Sequence, residues 1–438
     1  MSGTSESARR CEDGGGGTDA PRTARPGVLR DRDFARLFAA TAFGQLGDRV
    51  VFLALPLVAL TALRAGAFEV GLLTAMTTAG SLLVGLPAGA WVDRAGKRSV
   101  MVRADLGRAL VLLSVPSAWW AGLLTIEWLY AVALVHGVLT VFFDVAYQSC
   151  LPQVVGRDRL VEANARLSTV RSVTSIGGPA LAGPLVALVG APATLLAGSM
   201  GMALSGLLAL TLRTGGRPPR AGGRRRLAAE IGEGLRFVLG HPVLRAVMLG
   251  DSLFNLCLVM YQSMLLVFLE REIALGAFGM GLIFAGMGCG ALLGALTAGV
   301  AARRIGQGRV VWAATLATCP LTALMPLARP GWSVCAAAAG LAALSLGGVV
   351  RVVAQSSLQQ ALTPDRLLGR TSATVRFVSW GGIPLGGLLG GAAGTVLGAR
   401  GTLWAGAAGM TVSVVPVLLS PLRSGWTPPA VRAPGPQP

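Results

Sequence analysis

The chain has 438 residues, of which 53% are hydrophobic and only 13% are charged, and its mean hydropathy is +0.64. This composition excludes an ordinary soluble globular protein and indicates an integral membrane protein. The net charge of +18 does not indicate a nucleic-acid partner, because the sequence has no compact polar domain on which the basic residues could gather.

Apolar stretches of 20 or more residues recur along the chain, and each is long enough to cross a bilayer as a helix. Six are predicted in the first half, at 34–61, 68–92, 99–120, 127–151, 160–189 and 192–212. Six more are predicted in the second half, at 243–270, 277–302, 309–328, 332–360, 365–397 and 400–421. The predicted fold class is therefore an all-α membrane protein of twelve transmembrane helices, with six-helix bundles at 34–212 and 243–421.

Polar segments flank and join these bundles. Residues 1–33 and 422–438 are predicted to be disordered tails, and the first of them lacks the apolar core of a signal peptide. The basic linker at 213–242 is predicted to be either a surface helix near anionic lipid or a solvated connection. The tails and every second connection hold 32 of the 38 Lys and Arg residues. By the positive-inside rule, both termini are predicted to be cytoplasmic.

The two predicted bundles are related in sequence. Residues 68–89 match residues 278–299 at a constant offset, and residues 190–202 match residues 398–410. Agreement at separate places in the same order indicates an internal parallel repeat of six helices.

A short polar turn joins the second and third predicted helices at residues 89–98. It packs one acid, three bases and two glycines between two apolar runs. Those residues are Gly89, Asp93, Arg94, Gly96, Lys97 and Arg98. In the second copy of the turn, at 299–306, Arg303 stands in place of the acid.

With two related six-helix halves, a basic connection between them and this turn after the second helix, the chain resembles the major facilitator superfamily over residues 34–421. Short strings at 151–155, 160–164 and 233–237 are similar to the branch of bacterial exporters that contains macrolide and siderophore efflux proteins. The resemblance implies a twelve-helix transporter that works by alternating access.

The resemblance also implies roles for the turn. In such proteins its acid caps the eleventh helix and pairs with nearby bases, which holds the halves together on the cytoplasmic side in the outward-facing state. The implied roles are capping for Asp93, ion pairs for Arg94 and Arg98, and close backbone approach for Gly89 and Gly96.

Exporters of this superfamily often carry the string Gly-Pro-x-x-Gly-Gly in the fifth helix. Gly178, Pro179 and Gly183 match that string, whereas Ala182 replaces one glycine. The alternative interpretation is ordinary packing of small residues between helices. The arginine that is common in the fourth helix of proton antiporters is missing, because residues 134–137 at that place read Leu-Val-His-Gly.

Ionisable residues inside the predicted membrane helices are expected to have a role, because placing each charge at bilayer depth costs roughly 2.5–3.5 kcal/mol. The candidates for a proton or substrate site are Asp48, Arg49, His136, Asp251 and Asn255. Asp48 is predicted to bind a proton or cation, with a structural polar contact as the alternative. His136 would suit proton relay, although a lone histidine in a bundle is more often structural. Asp105 and Arg108 are spaced for an intrahelical contact and are expected to support the nearby turn.

The repeat also predicts a cytoplasmic gate. Gln148-Ser149 recurs as Gln355-Ser356, which makes Asp144 and Arg351 symmetry mates near the ends of helices four and ten. The predicted gate residues are Asp144, Arg171, Arg351 and Arg376. Asp144 is predicted to pair across the halves when the inner mouth closes, or alternatively to bind Arg171 within one half.

Together these features predict a secondary transporter of the bacterial inner membrane that exports an amphipathic small molecule, such as an antibiotic or a siderophore, by proton antiport. The alternatives are an uptake permease or facilitator of the same fold and, more distantly, a non-transporting sensor or scaffold. The expected partners are a small-molecule substrate, protons and the lipid bilayer, without nucleic acid, and the chain is expected to be a monomer. No enzyme activity, cofactor or metal site is expected, because the sequence shows no nucleotide-binding loop, covalent nucleophile or ligand-like cysteine spacing.

Overall fold

The computed structural model describes residues 31–156, 159–212 and 227–424, and within these ranges the chain is helical. The membrane helices of the first half are α1 (Arg32–Leu57, continued by a wider turn at Val58–Ala62), α2 (Ala67–Ala95), α3 (Lys97–Trp120), α4 (Ile126–Val155), α5 (Leu160–Val189) and α6 (Ala191–Leu210). Those of the second half begin with α7 (Pro242–Arg271), α8 (Ala277–Ile305), α9 (Gln307–Thr318, then Cys319–Ala323 and Leu324–Leu327) and α10 (Ser333–Leu362).

The last two membrane helices run as one element, Asp365–Val412. Gly398 interrupts it with φ 72° and ψ 172°, a conformation that suits glycine and turns the chain at the end of the bundle. We call the two parts α11 (residues 365–397) and α12 (residues 399–412). Each predicted span thus has a helix, and the twelve-helix architecture is confirmed.

Length and apolar composition alone would give a smaller number of membrane helices. Ten helices of the described chain are long and apolar enough to cross a membrane, with α11 and α12 falling in one of them and α3 in none. α3 carries several charges in its first half, but two of them, Asp105 and Arg108, are completely buried and do not face lipid. Separating α11 from α12 and including α3 gives the twelve spans of the fold.

Two local features differ in detail from the predicted spans. The ninth span is broken at Cys319–Ala323, where Pro320 lacks the N–H group that an uninterrupted α-helix needs. The second part of the basic linker forms a helix, Leu227–Gly240, whereas residues 213–226 lie outside the described chain. The predicted tails lie outside it as well, except that residues 32–33 begin α1 and residues 422–424 belong to a final short turn. The predicted domain boundaries stay a prediction.

The bundle has a basic end, where the turns that contain Arg94 and Arg303 lie, and an opposite end. At the opposite end the two halves are in close contact. A Cβ placed on Gly71 of α2 would lie 2.7 Å from the carbonyl oxygen of Gly387 in α11, and one on Gly183 of α5 would lie 2.7 Å from that of Ala277 in α8. Glycine therefore permits these helices to touch backbone to backbone.

Toward the basic end α2 and α11 pack less tightly. At Gly381 of α11 a Cβ would be 3.7 Å from the end of the Leu82 side chain, and at Gly85 and Gly89 of α2 it would meet no atom of the described residues within 4 Å. At the opposite end, Arg271 of α7 also donates a hydrogen bond to the carbonyl oxygen of Ala65, across the halves. The structure is thus closed at the opposite end.

Candidate functional site

A buried cluster of charged groups lies among α1, α3 and α4 in the first half. Its centre is Arg108 of α3, whose side chain is 0% exposed. The Arg108 guanidinium pairs with Asp48 of α1 at 3.1 Å and with Asp105, one turn earlier on α3. One guanidinium thus serves two carboxylates, which helical periodicity and helix packing bring to it from two directions.

Asp105 is the fixed member of this cluster. Its side chain is also 0% exposed, and Ser205 of α6 donates a hydrogen bond to its Oδ2 at 2.5 Å. A Cβ on Gly44 of α1 would lie 3.1 Å from the Ser205 hydroxyl, so α1 and α6 meet with no room for a larger side chain. The packing of α1 on α6 therefore holds the serine against the carboxylate.

Asp48 is the accessible member. Its side chain is 30% exposed, and its Oδ1 lies 3.5 Å from Nε2 of His136 on α4. His136 Nδ1 is buried and finds no hydrogen-bond partner among the described residues. Asp48 is therefore the member of the cluster that solvent or a ligand can reach, beside the buried His136. Its role as a proton or cation site stays a prediction.

A second cluster lies among the helices of the other half. Arg351 of α10 pairs with Asp251 of α7 at 2.5 Å, and their side chains are 6% and 18% exposed. Asn255 donates from Nδ2 to Asp251 Oδ2 at 3.3 Å, and the Arg351 guanidinium carbon stands 3.9 Å from the centre of the Phe254 ring. This cluster contains one acid and one base, so its charges balance.

The contacts that the structure describes for the predicted gate residues lie within each half. Arg351 is paired with Asp251 of its own half, and Asp144 and Arg171 are exposed. The side chain of Arg376 lies outside the described part of the chain. The gate is predicted for the state in which the basic end is closed, so pairing across the halves stays a prediction.

The described contacts of the polar turn between α2 and α3 are made with other helices of the first half. Gly96 has φ +83°, in the left-handed region that favours glycine, and its repeat mate Gly306 has φ +92°. Lys97 Nζ donates to the carbonyl oxygen of Ser149 at 2.9 Å, and Arg98 donates to that of Leu210, the last residue of α6. The turn thus provides positive charge to the carboxyl ends of α4 and α6.

The roles that the resemblance implied for the turn concern the state in which the basic end is closed, and they stay predictions. In this conformation Arg98 binds a carbonyl group rather than a carboxylate, and Gly89 makes no close backbone approach to the described residues. Arg94 is exposed, and the side chain of Asp93 lies outside the described chain. The expected intrahelical contact between Asp105 and Arg108 is present, and Arg108 also reaches Asp48 on α1.

The string in the fifth helix contacts both halves. A Cβ on Gly178 would overlap the side chain of Arg49 on α1, and one on Gly183 would lie 3.1 Å from Cα of Gly281 on α8. Pro179 is buried, and its carbonyl oxygen would lie 2.6 Å from a Cβ on Gly281. The string therefore permits close helix packing, as its small residues predicted.

Sequence reasoning missed Arg108 and Ser205 as members of the site. Arg108 lies about 16 Å from the start of α3 at the helical rise, too deep to serve a turn at the helix end. That depth was a usable signal against a role at the turn. Ser205 gave no signal, because its partner is distant in sequence.

Comparisons with known proteins agree with this architecture. Residues 25–431 match the family model described as "transmembrane secretion effector". The chain is 28% identical over 403 residues to the multidrug efflux pump Tap of Mycolicibacterium fortuitum, covering 88% of this chain and 95% of that protein. It is 28% identical over 425 residues to the enterobactin exporter EntS of Escherichia coli O6:K15:H31, covering 92% and 94%.

Among solved structures, a bacterial homologue of the iron transporter ferroportin in its inward-facing state has the same fold, with a TM-score of 0.70, 15% identity and coverage of 88% of this chain and 98% of that one. The family match spans nearly all twelve helices, including both clusters and the polar turn. The chain therefore belongs to the transmembrane secretion effector family of the major facilitator superfamily, and it is a multi-pass membrane transporter.

Proposed function

We propose that this transporter exports an amphipathic small molecule, such as an antibiotic or a siderophore, from the bacterial cytoplasm in exchange for protons. Two relatives that align along almost their whole length are, by name, a multidrug efflux pump and an enterobactin exporter, which supports export. The observation that carries proton coupling is the first cluster, in which two carboxylates share one guanidinium at bilayer depth.

The orientation follows from the charge of the two ends. The basic end holds most of the Lys and Arg residues of the connections, so the positive-inside rule assigns it, with both termini, to the cytoplasm. Because the halves are in close contact at the opposite end, and α2 and α11 pack less tightly toward the basic end, the structure corresponds to an inward-facing state. An exporter loads its substrate in that state.

Proton binding follows from the charge of the first cluster. Asp48 and Asp105 carry two negative charges when ionised, and Arg108 carries one positive charge, so one carboxylate is in excess. A single proton removes this excess, and a net charge in the bilayer is costly. Asp48 is the accessible carboxylate, whereas Asp105 is buried and held by Ser205, so the proton binds at Asp48.

Protonation of Asp48 changes how α1 is held. The ion pair with Arg108 is lost, while Arg108 keeps Asp105 as its counterion and stays neutralised inside the protein. α1 is then free to adjust its packing on α3 and α4 at little electrostatic cost. This gives an exchange mechanism in which proton uptake from outside and proton release inside favour opposite states.

Closure of the basic end brings Asp144 to an arginine of the other half, as the repeat predicts. Asp144→Arg is expected to abolish transport, and adding Arg351→Asp is expected to restore part of it. Because Arg351→Asp also leaves Asp251 without its partner, the swap is repeated with Asp251→Asn present. If neither swap restores transport, pairing of Asp144 with Arg351 is wrong, and its partner is Arg376 across the halves or Arg171 within the first half.

The decisive experiment for the function is a drug and siderophore susceptibility screen in an efflux-deficient host. Cells with the wild-type protein should retain less of an exported compound, and dissipating the proton gradient should remove the difference. Asp48→Asn should behave like the empty host, whereas Glu127→Gln, an exposed acid at the opposite end of α4, should behave like the wild type.

Three outcomes of the screen separate the candidate functions. Accumulation that needs the transporter indicates an uptake permease or facilitator. Export that survives loss of the proton gradient rules out proton coupling. No change with any compound counts against transport of amphipathic molecules and favours a sensor or scaffold.

A further inference from the structure

Two arginines lie inside the membrane on the seam between α1 and α5, and the proton site does not use them. Arg49 is about 25 Å from the start of α1 at the helical rise, and Arg171 is about 16 Å from the start of α5. Both side chains are exposed, and neither makes an ion pair with a carboxylate in the described part of the chain. Neither arginine is therefore held by a salt bridge among the described residues.

Packing shows that both arginines belong to this one seam. A Cβ on Gly178 of α5 would overlap the Arg49 side chain, so α1 and α5 touch there. One turn nearer the basic end, the Thr174 hydroxyl donates to Gln45 Oε1 across the same seam at 3.4 Å. Arg171 lies two helical turns before Gly178, on the same face of α5.

The two guanidinium groups are near enough to interact electrostatically. Arg171 also interacts with Tyr147 of α4, which places it on the side of α5 that faces the inside of the first half. Side chains of a helix lean toward its N-terminus, so Arg49 extends from α1 toward Arg171. Two like charges thus approach each other at bilayer depth, where repulsion is weakly screened.

The neighbouring acid Asp48 interacts with Arg49 but is shared with another base, so it offsets this charge only in part. Asp48 precedes Arg49 in sequence, but its carboxylate is bound by Arg108 at 3.1 Å, on a different side of α1. Positive groups in the membrane are retained when they bind a partner of opposite charge. A planar guanidinium is suited to an oxyanion, which it can hold with two parallel hydrogen bonds.

We propose that Arg49 and Arg171 bind an oxyanion group, a carboxylate or phosphate, on the exported molecule, with Gln45 and Thr174 beside them as neutral hydrogen-bonding groups. This assignment rests on the proposed export function and specifies its substrate class as amphipathic acids. Proton and substrate sites are then adjacent on α1 but carry opposite charge. The anion binds at the arginines while the proton binds at Asp48.

The first measurement is binding to the purified full-length protein in phosphatidylcholine vesicles, with 1-pyrenebutyrate and its uncharged methyl ester as matched probes. The wild type should bind the acid more tightly than the ester. Arg49→Gln and Arg171→Gln should each weaken binding of the acid about 10- to 100-fold and leave the ester unchanged, since each removes a charge-assisted hydrogen bond. Arg166→Gln, an exposed arginine on another face of α5, is the matched control.

Equal binding of acid and ester by the wild type, or unchanged acid binding in both glutamine variants, overturns the assignment. Arg49→Lys and Arg171→Lys keep the positive charge but lose the planar guanidinium, so they should bind the acid more tightly than the glutamine variants and less tightly than the wild type. This order distinguishes loss of the ligand contact from loss of folding. Binding of phosphatidylglycerol that depends on both arginines, without binding of the free acid, would make a lipid headgroup the ligand and would also overturn the substrate assignment.

The same probes separate this inference from the proposed function. Asp48→Asn should lose proton-driven transport but keep acid binding, because its neighbour Arg49 is intact. If acid binding depends on both arginines but no compound is exported by the wild type, the oxyanion site stands and the export function fails. If export is proton-driven but indifferent to the arginines, the function stands and the oxyanion site fails.

Discussion

Each of the two buried clusters of this transporter contains an Asp–Arg ion pair, but the number of carboxylates around the arginine differs. In the second half, Asp251 and Arg351 form one acid and one base with little exposure. In the first half, Arg108 is completely buried, but it serves Asp105, which is equally buried, and Asp48, which is 30% exposed. The pair in the second half has no net charge. The triad of Asp48, Asp105 and Arg108 has one carboxylate more than it has bases.

This difference separates a structural role from a functional one. A balanced pair gains nothing from protonation, because removing either charge leaves the other without a partner inside the membrane. The triad can accept a proton at Asp48 and still keep Arg108 neutralised by Asp105. Proton exchange is therefore expected in the first half, and electrostatic anchoring of α7 to α10 in the second.

The largest effect is expected when the balanced pair is broken. Asp251→Asn leaves Arg351 buried without a counterion and should lower the free energy of unfolding by about 3–5 kcal/mol. Asp48→Asn should cost less than about 1 kcal/mol, because Arg108 keeps Asp105 and Asp48 is partly exposed. Unfolding in mixed micelles gives both values.

The double variant Asp251→Asn, Arg351→Gln is the control for that comparison. It removes both charges and should recover part of the stability that Asp251→Asn loses. If Asp48→Asn is as destabilising as Asp251→Asn, the distinction between anchor and proton site is wrong.

The next effect concerns transport rather than stability. Asp48→Asn should lower the rate of proton-driven efflux about 100-fold, because the variant cannot take up and release the proton. The measurement is efflux from proteoliposomes under an imposed pH gradient, compared with exchange of substrate at equal pH, which should be retained. Efflux by this variant that still responds to the gradient would move the proton site elsewhere.

The sequence predicted most of the fold because long apolar runs are a strong signal in a membrane protein. The break of the ninth span at Cys319–Ala323 was not predicted, since Pro320 in an apolar run does not by itself fix where a helix ends. The continuity of the chain through Gly398 into α12 is likewise a matter of local backbone conformation.

Only part of the two clusters could be predicted from the sequence. Asp251 lies about 13 Å and Arg351 about 16 Å from the basic ends of their helices, so equal depth could have paired them. Sequence symmetry pointed instead to Asp144 as the partner of Arg351, because a repeat relates positions and does not show which helices touch. The role of Ser205 depends on the packing of α6 against α1 and α3, which no single helix reveals.

A smaller effect, on stability, is expected when the serine that donates a hydrogen bond to Asp105 is replaced. Ser205→Ala removes a hydrogen bond to a buried carboxylate and should lower the free energy of unfolding by about 1.5–3 kcal/mol. Ser199→Ala, on the same helix, removes a hydrogen bond to the neutral carbonyl group of Ala109 and should cost about 0.5–1.5 kcal/mol. Similar costs for the two variants would mean that Asp105 is not ionised.

The smallest effect is expected at His136, and it decides whether the histidine relays the proton. Its Nε2 lies 3.5 Å from Asp48 Oδ1, a distance typical of a weak contact, and its loss should slow efflux only about fivefold, equivalent to about 1 kcal/mol. An obligatory relay would instead cost about 100-fold or more in His136→Asn. Efflux by this variant, measured beside Asp48→Asn under the same pH gradient, distinguishes the two. A fivefold loss leaves Asp48 as the sole carrier of the proton in the triad, with His136 filling the space beside it.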